Sequence, residues 1–238
     1  MTLLSLSHFC HLGTLTLLTL DDNRFKRCFL GIGSCLETAI QVGTGFSSVD
    51  GTHMHHIHYR TGVAHILTTY DGNNKCIILA MALCETESGD TWDYFGTQGQ
   101  IFGLGRYLSL PGSVVMHDRM KGIERFMEYF PEAQSVECFL HIINNIYRNA
   151  GGKKGIAVQL LWQLRKAETF KLWFEYFKKI GKRSFTAADY INNSIDEDRN
   201  WRWKLLENGV RTYSRSTSQL SEGSDLMQFL PFGSLCKL

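Results

Sequence analysis

Hydrophobic and polar positions along the chain fall into two regimes. From Phe46 to Phe139, short apolar runs of strand length alternate with amphipathic stretches. Phe46 to Asp50 is apolar and partly β-branched, and it stops at Asp50-Gly51, which predicts a strand closed by an acidic residue and a turn. Val63 to Tyr70 and Cys76 to Cys84 flank Asp-Gly-Asn-Asn at Asp71 to Asn74, a hairpin signal. The returning run, CIILAMALC, is apolar at every position and so is expected to be covered on both faces. Thr91 to Tyr107 opens as a helix around Trp92, Tyr94 and Phe95, weakened by four glycines. Ser113 to Met116 is a short buried strand ending at His117-Asp118. Ile123, Phe126, Met127 and Phe130 fall at i, i+3, i+4 and i+7, which predicts a helix over Met120 to Phe130, ended by Pro131. Ser135 to Phe139 reads as another short strand, followed by a helix through Ile142, Ile146 and Tyr147.

After Gly151-Gly152 the pattern becomes helical. Leu160, Leu161, Leu164, Phe170, Trp173, Phe174 and Phe177 recur at helical spacing within Ile156 to Ile180. That aromatic stripe is expected to be core rather than a cofactor box. Phe185 to Leu206 continues as helix, and Ser221 to Leu230 is a short final helix. Upstream, Asp21 to Val42 has a charged start and an apolar body, and its pattern fits strand or helix.

A strand and hairpin, followed by two strands each leading into a helix, is a mixed α/β pattern. The sheet order 3-2-1-4-5 satisfies short connections and right-handed crossovers. In that order Asp50 and Asp118 emerge at one edge, the carboxyl ends of parallel neighbours, where open α/β sheets place ligands.

Composition adds bounds. The chain has 238 residues, 44% hydrophobic, with three prolines, which suits one large domain or two small ones. Net charge is +2 but uneven: residues 148–183 carry 10 basic and 2 acidic residues, net +8, while residues 1–147 are net −5. Such a basic segment suits a polyanion partner or a solvated helix face. Seven scattered cysteines without a CxxC pair do not resemble a secreted disulfide framework, so a reducing compartment is expected. Met1 to Leu20 is apolar and uncharged but lacks a basic start and a clear cleavage site, and it is read as ordinary N-terminal sequence rather than a signal or a membrane span.

The chemistry begins with Asp50 and Asp118. A lone Asp-Gly is most simply a turn aspartate bonding its own backbone. Two carboxylates at one edge repel, and a divalent cation with hard oxygen ligands, Mg²⁺ or Mn²⁺, removes the conflict. Two such ions about 3.5–4 Å apart suit phosphodiester chemistry. A third carboxylate is expected, and Glu222, opening the last helix in TSQLSEGSD, is the candidate.

The strings RFKRCFLGIGSCLETA, VDGTHM, YDGNNKCIILAMALCETESGDTW, VMHDRMKG and FPEAQSVECFLHIINN cover Arg24 to Asn145 nearly continuously. Together they resemble the catalytic domain of Mutator-like element (MULE) transposases. Specificity lies in the order: DGTH, the DGNN hairpin, the Glu87 to Trp92 spacing, Asp-Arg-x-Lys-Gly, then Cys-x-x-His. The resemblance implies a ribonuclease-H-like fold: a mixed five-stranded sheet flanked by helices, with an all-helical insertion before the last helix. It implies a flank at 1–44, a core at 45–150, a helical insertion at 151–210 and a truncated last core helix at 211–238. Asp50, Asp118 and Glu222 match the family's metal-holding DDE triad, and Cys138 and His141 its Cys-x-x-His motif. Around Glu222 the match is thinner: Gly223 stands where the family usually has Ser, and Asp225 where it has Asn. The implied activity is metal-dependent DNA strand cleavage and strand transfer in the nucleus. The DNA partners would be element ends and target DNA, with no membrane and with homo-oligomers allowed. Lys178, Lys179, Lys182 and Arg183, with Cys138 and His141, would contact DNA.

No zinc-ligand-rich region precedes the core and no Cys/His zinc knuckle follows it in this sequence, which points to a truncated or decayed copy. The rival function is therefore a catalytically inactive, domesticated descendant that binds DNA or protein. A ribonuclease or resolvase of the same fold is a further rival, disfavoured by the long insertion. The cluster His53, His55, His56 and His58 is expected to be solvated loop rather than zinc site, since no cysteine or carboxylate stands near it at metal spacing. His53 alone belongs to the DGTH match. Cys138 with His141 makes half a zinc site at most, and a protease-like dyad lacks an orienting residue.

Overall fold

The computed structural model describes residues 2–4, 13–22, 24–54, 62–73, 75–118, 122–149, 158–167 and 169–194. Its centre is an open sheet built from β1 (Thr2–Leu4), β2 (Leu15–Asp21), β3 (Arg24–Gly31), β4 (Gly43–His53), β5 (Val63–Asp71), β6 (Cys76–Cys84), β7 (Val114–His117) and β8 (Gln134–Glu137). The strand order is β1-β2-β3-β6-β5-β4-β7-β8. The pairings β1–β2, β2–β3, β3–β6, β6–β5 and β5–β4 are antiparallel, and β4 with β7 is parallel. The mixed α/β class expected from the pattern is therefore present, in a sheet larger than the five strands predicted. The ambiguous Asp21 to Val42 holds both elements: β3, then the helix α1 (Gly33–Val42).

The β5–β6 turn forms as its sequence predicts. Asp71 Oδ1 accepts hydrogen bonds from the Asn73 and Lys75 backbone N–H groups, each at 2.8 Å, which is the local bonding that makes Asp a turn former. Strand β5 is buried at every position from Val63 to Tyr70.

The strand at Asp50 corrects the sequence reading. It does not end at Asp50-Gly51 but runs on to His53. The reason is its antiparallel neighbour. Pairing with β5 continues through Asp50↔Ile66 and Gly51↔His65 to His53↔Val63, whereas pairing with β7 stops at Val49↔His117. Asp50 is thus mid-strand on one side and at the strand end on the other.

Helices α1, α2 (Gly89–Phe102), α3 (Gly105–Leu108) and α4 (Ile123–Glu128) share one core with the sheet, filled by Phe29, Trp92, Phe95, Phe126 and Phe130. The single helix predicted over Thr91 to Tyr107 is split, because Gly103 takes φ +94° and caps α2 in the left-handed region. A smaller cluster of Met54, Ala64, Ile66 and Met81 contains the alternate residues of β5 and β6.

The described residues from Val136 to Ser194 belong to a second compact unit. It contains α5 (Phe139–Asn149), α6 (Val158–Lys166), α7 (Phe170–Arg183) and α8 (Phe185–Ser194). Its core is Phe139, Ile142, Ile146, Leu161, Leu164, Ile180 and Ile191, with Trp162, Trp173 and Phe177 packed against it. Of the predicted stripe, Leu160, Leu161 and Leu164 are core and Trp173 and Phe177 pack against it, whereas Phe174 is exposed. The predicted continuous helix breaks before Thr169, whose hydroxyl accepts from the Leu172 N–H and caps α7. The final helix predicted at Ser221 to Leu230 lies outside the described residues, and no described helix is long and apolar enough to cross a membrane.

Candidate active site

The parallel pairing of β4 with β7 builds the site. Phe46↔Val114, Ser47↔Val115, Ser48↔Met116 and Val49↔His117 are register partners. Asp50 and Asp118 are the next residues on these two adjacent segments, whose backbones run about 4.8 Å apart as neighbouring strands do. Asp50 is 4% exposed. Its Oδ1 accepts from the Gly51 N–H at 2.8 Å, the local bond that an Asp-Gly pair offers, here made inside a strand.

Asp118 is held through its neighbour. His117 is buried, with Nδ1 2.5 Å from the Asp118 carbonyl oxygen and Nε2 2.6 Å from Ser135 Oγ. A carbonyl can only accept, so Nδ1 carries the proton and Ser135 Oγ–H donates to Nε2. One imidazole thereby ties the Asp118 backbone to the following strand.

A third carboxylate reaches this edge from a direction the sequence reading did not assign. Register partners His53↔Val63 and Val63↔Cys84 align the exits of β4 and β6. Glu87 lies three residues beyond Cys84, just before the α2 cap Ser88. A Cβ built on Gly51 would stand 2.6 Å from Glu87 Oε1 and 3.0 Å from its Cδ, so the carboxylate lies against the Gly51 backbone. Burial pushes the Glu87 pKa up, and the Asp118 charge adds to that, while His53 and the Trp92 indole N–H act the other way. Trp92 is fully buried, and among the described residues its Nε1 completes no hydrogen bond, so its pull on Glu87 falls short of one. In the sequence, Glu87 figured only as half of the Glu87 to Trp92 spacing. Its position right after an apolar strand that runs parallel to β4 was the available signal.

The support is rigid. Ser88 Oγ accepts from the Thr91 N–H at 3.4 Å, and Thr91 Oγ1 accepts from the Ser88 N–H at 3.0 Å, a capping box at the start of α2. The Trp92 ring packs on His65 with centroids 3.9 Å apart and on Phe126 at 6.2 Å. Gly122 takes φ +109°, and a Cβ there would lie 2.8 Å from the Gly89 Cα, so Gly122 packs backbone to backbone on the α2 start.

Asp50 and Asp118 offer hard oxygen donors where β4 and β7 stop pairing. This donor chemistry fits Mg²⁺ or Mn²⁺. Among the described residues, no three His, Cys, Asp or Glu side chains already form a metal-ligating group. Glu222, the predicted third acid, lies outside the described residues, as do His55, His56 and His58. His53 ends β4 and is exposed.

The other predicted residues belong to the helical unit. Cys138 is buried immediately before α5, and its carbonyl accepts from the Ile142 N–H. His141 is half-buried in the first turn of α5. Lys178, Lys179, Lys182 and Arg183 are all exposed on α7. Lys178 Nζ sits 4.3 Å from the Phe174 ring centroid and Lys179 Nζ 5.1 Å from that of Tyr176, so their stems cover aromatic surface. Cys28, Cys35, Cys76, Cys84 and Cys138 are free thiols. A scan against protein-family models finds no match to this chain, and a search of curated proteins finds none either.

Proposed function

We propose that this chain is a DDE transposase catalytic core of the Mutator-like type, carrying out metal-dependent DNA strand cleavage and strand transfer. The observation that supports the reading is the parallel β4–β7 register, whose last partners, Val49 and His117, directly precede Asp50 and Asp118. The finer fold inferred is ribonuclease-H-like. The run β6-β5-β4-β7-β8 within the sheet supports it, since numbering those strands by sequence reads 3-2-1-4-5.

Two Mg²⁺ or Mn²⁺ ions, when bound, would activate the attacking hydroxyl and stabilise the leaving oxygen. Asp50 and Asp118 would hold them. Glu222 would complete the set, as the family pattern implies. His117, fixed between the Asp118 carbonyl and Ser135, would keep Asp118 from swinging away. The reaction classes are hydrolysis at an element end, then attack of the freed 3′-hydroxyl on a target phosphodiester. The exposed cations of α7 would contact DNA phosphates without reading sequence.

The test is strand cleavage of a labelled DNA duplex in Mn²⁺. Cleavage by the chain, lost in both Asp50→Ala and Asp118→Ala, is the expected result. A chain that leaves DNA intact under these conditions, or that cleaves equally well without Asp50, would overturn the reading. Loss in Glu222→Gln would extend the site to the third predicted acid.

A further inference from the structure

We propose that two exposed rings of the helical unit, Phe185 and Phe174, stack on the bases of single-stranded DNA whose phosphates meet the cations of α7. This rests on the reading above that those cations contact DNA. It adds the form of the DNA and the side chains that select it.

Helix α7 has two unlike faces. Trp173, Phe177 and Ile180 recur at i, i+4 and i+7 and pack into the core of the unit. Phe174, Lys178 and Lys182 recur at i, i+4 and i+8, and all three are exposed. From Lys171 to Arg183 the chain carries five cations and one acid, Glu175. Phe174 is 41% exposed, with Lys178 Nζ beside its ring. A ring and an ammonium this close match the base and the phosphate of one nucleotide.

Phe185 stands further out, at 80% exposure. It opens α8 two residues after Arg183, on a braced backbone. The Ser184 N–H donates to the Ile180 carbonyl at 2.8 Å, and Ser184 Oγ accepts from the Ala187 N–H at 3.2 Å. Those bonds close one helix and open the next around Phe185. A ring held in water on a fixed backbone has little order left to lose on binding.

Three of the six large apolar side chains exposed among the described residues, Leu172, Phe174 and Phe185, fall in this short basic stretch. They form a cluster rather than the single exposures that every surface has. Cations alone suit duplex and single strand, but a duplex keeps its base faces stacked on one another. An unpaired strand offers those faces to the rings, whatever its sequence. An anionic membrane is the competing partner for a basic amphipathic helix. It needs a continuous apolar face, and that face of α7 is already committed to the core.

The experiment uses the full chain and fluorescence anisotropy over a salt series. The probes are a labelled mixed-sequence DNA strand, the same strand annealed to its complement, and RNA of the same sequence. Phe185→Ala should weaken single-strand binding at least about fivefold, the lower end for one base stacked on an aromatic ring. Duplex affinity and both salt slopes should not move, because no phosphate contact is removed. Phe185→Trp should restore the affinity, and Phe174→Ala should weaken the single strand in the same selective way. If alanine at 174 and 185 together leaves single-strand affinity unchanged, while replacing Lys178, Lys179, Lys182 and Arg183 by Ala flattens the slope, the phosphate reading stands and stacking is refuted. A slope unchanged by that quadruple substitution would overturn the phosphate reading and this proposal with it. Equal losses on duplex and single strand would also refute stacking. Tighter binding of the RNA, or Phe185-dependent binding to phosphatidylserine vesicles without any effect on the oligonucleotides, would overturn the choice of partner.

Discussion

His65 should make the fold sensitive to mild acid. It sits in mid-β5 at 0% exposure, its ring 3.9 Å from that of Trp92 and 6.1 Å from that of Phe95. Its Nε2 lies 3.1 Å from Thr91 Oγ1. The Thr91 hydroxyl already donates to the Ser88 carbonyl at 2.9 Å, so it must accept from His65, which fixes the proton on Nε2. Nδ1 then has no partner, and a second proton there would be buried without an acceptor. Burial accordingly drives the His65 pKa from 6.5 down to about 3. The unfolded chain binds that proton near pH 6.5 and the folded chain does not. The associated stability is intact above about pH 6.5 and is lost progressively as pH falls toward 3. At about 1.4 kcal/mol per pH unit, the loss from this group between pH 7 and 5 is about 2 kcal/mol. Urea unfolding of wild type and His65→Leu at both pH values isolates it, because the carboxylates titrate alike in the two proteins. Whatever the offset at pH 7, the wild type should lose about 2 kcal/mol more than the variant on going to pH 5. A stability gap that does not change with pH would refute the burial argument.

Two further predictions concern Gly122, beside the start of α2, and the cations of α7. Gly122→Ala places a side chain at φ +109° against the Gly89 backbone and should cost about 2 kcal/mol or more in urea unfolding; a loss under about 0.5 kcal/mol would mean that the turn relaxes freely. Replacing Lys178, Lys179, Lys182 and Arg183 together by Ala should weaken DNA binding and flatten its dependence on salt by about 0.9 in log-log slope for each phosphate contact removed. An unchanged slope in a fluorescence-anisotropy titration would return these residues to the status of a solvated helix face.

Local rules carried a definite part of this structure. Asp71 bonds backbone N–H groups two and four residues on, so the β5–β6 hairpin is encoded where it forms. The amphipathic period of α4 and the aromatic period of α6 and α7 needed only the spacing of side chains on a helix. Asp50 and Asp118 stood out because an acidic residue closing an apolar run is costly wherever it is buried. Local pattern was silent wherever the deciding partner was distant in sequence. Strand β4 continues past Asp50 because β5 goes on pairing with it, which no property of Asp50-Gly51 announces. Strand β3 joins the sheet beside β6, more than forty positions away in the chain, and this resolves a segment whose own pattern fits helix or strand. Glu87 follows a strand and precedes a helix cap, which by itself reads as a connecting loop. It reaches the edge that carries Asp50 and Asp118 because three neighbouring strands align their ends there, and because Gly51 leaves the space for its carboxylate. The sequence by itself determined the β5–β6 hairpin and the helical character of α4, α6 and α7, since those choices are made among residues a few positions apart. Only the tertiary structure decided which segments end side by side, because sheet register brings together groups whose separation along the chain leaves no periodic trace.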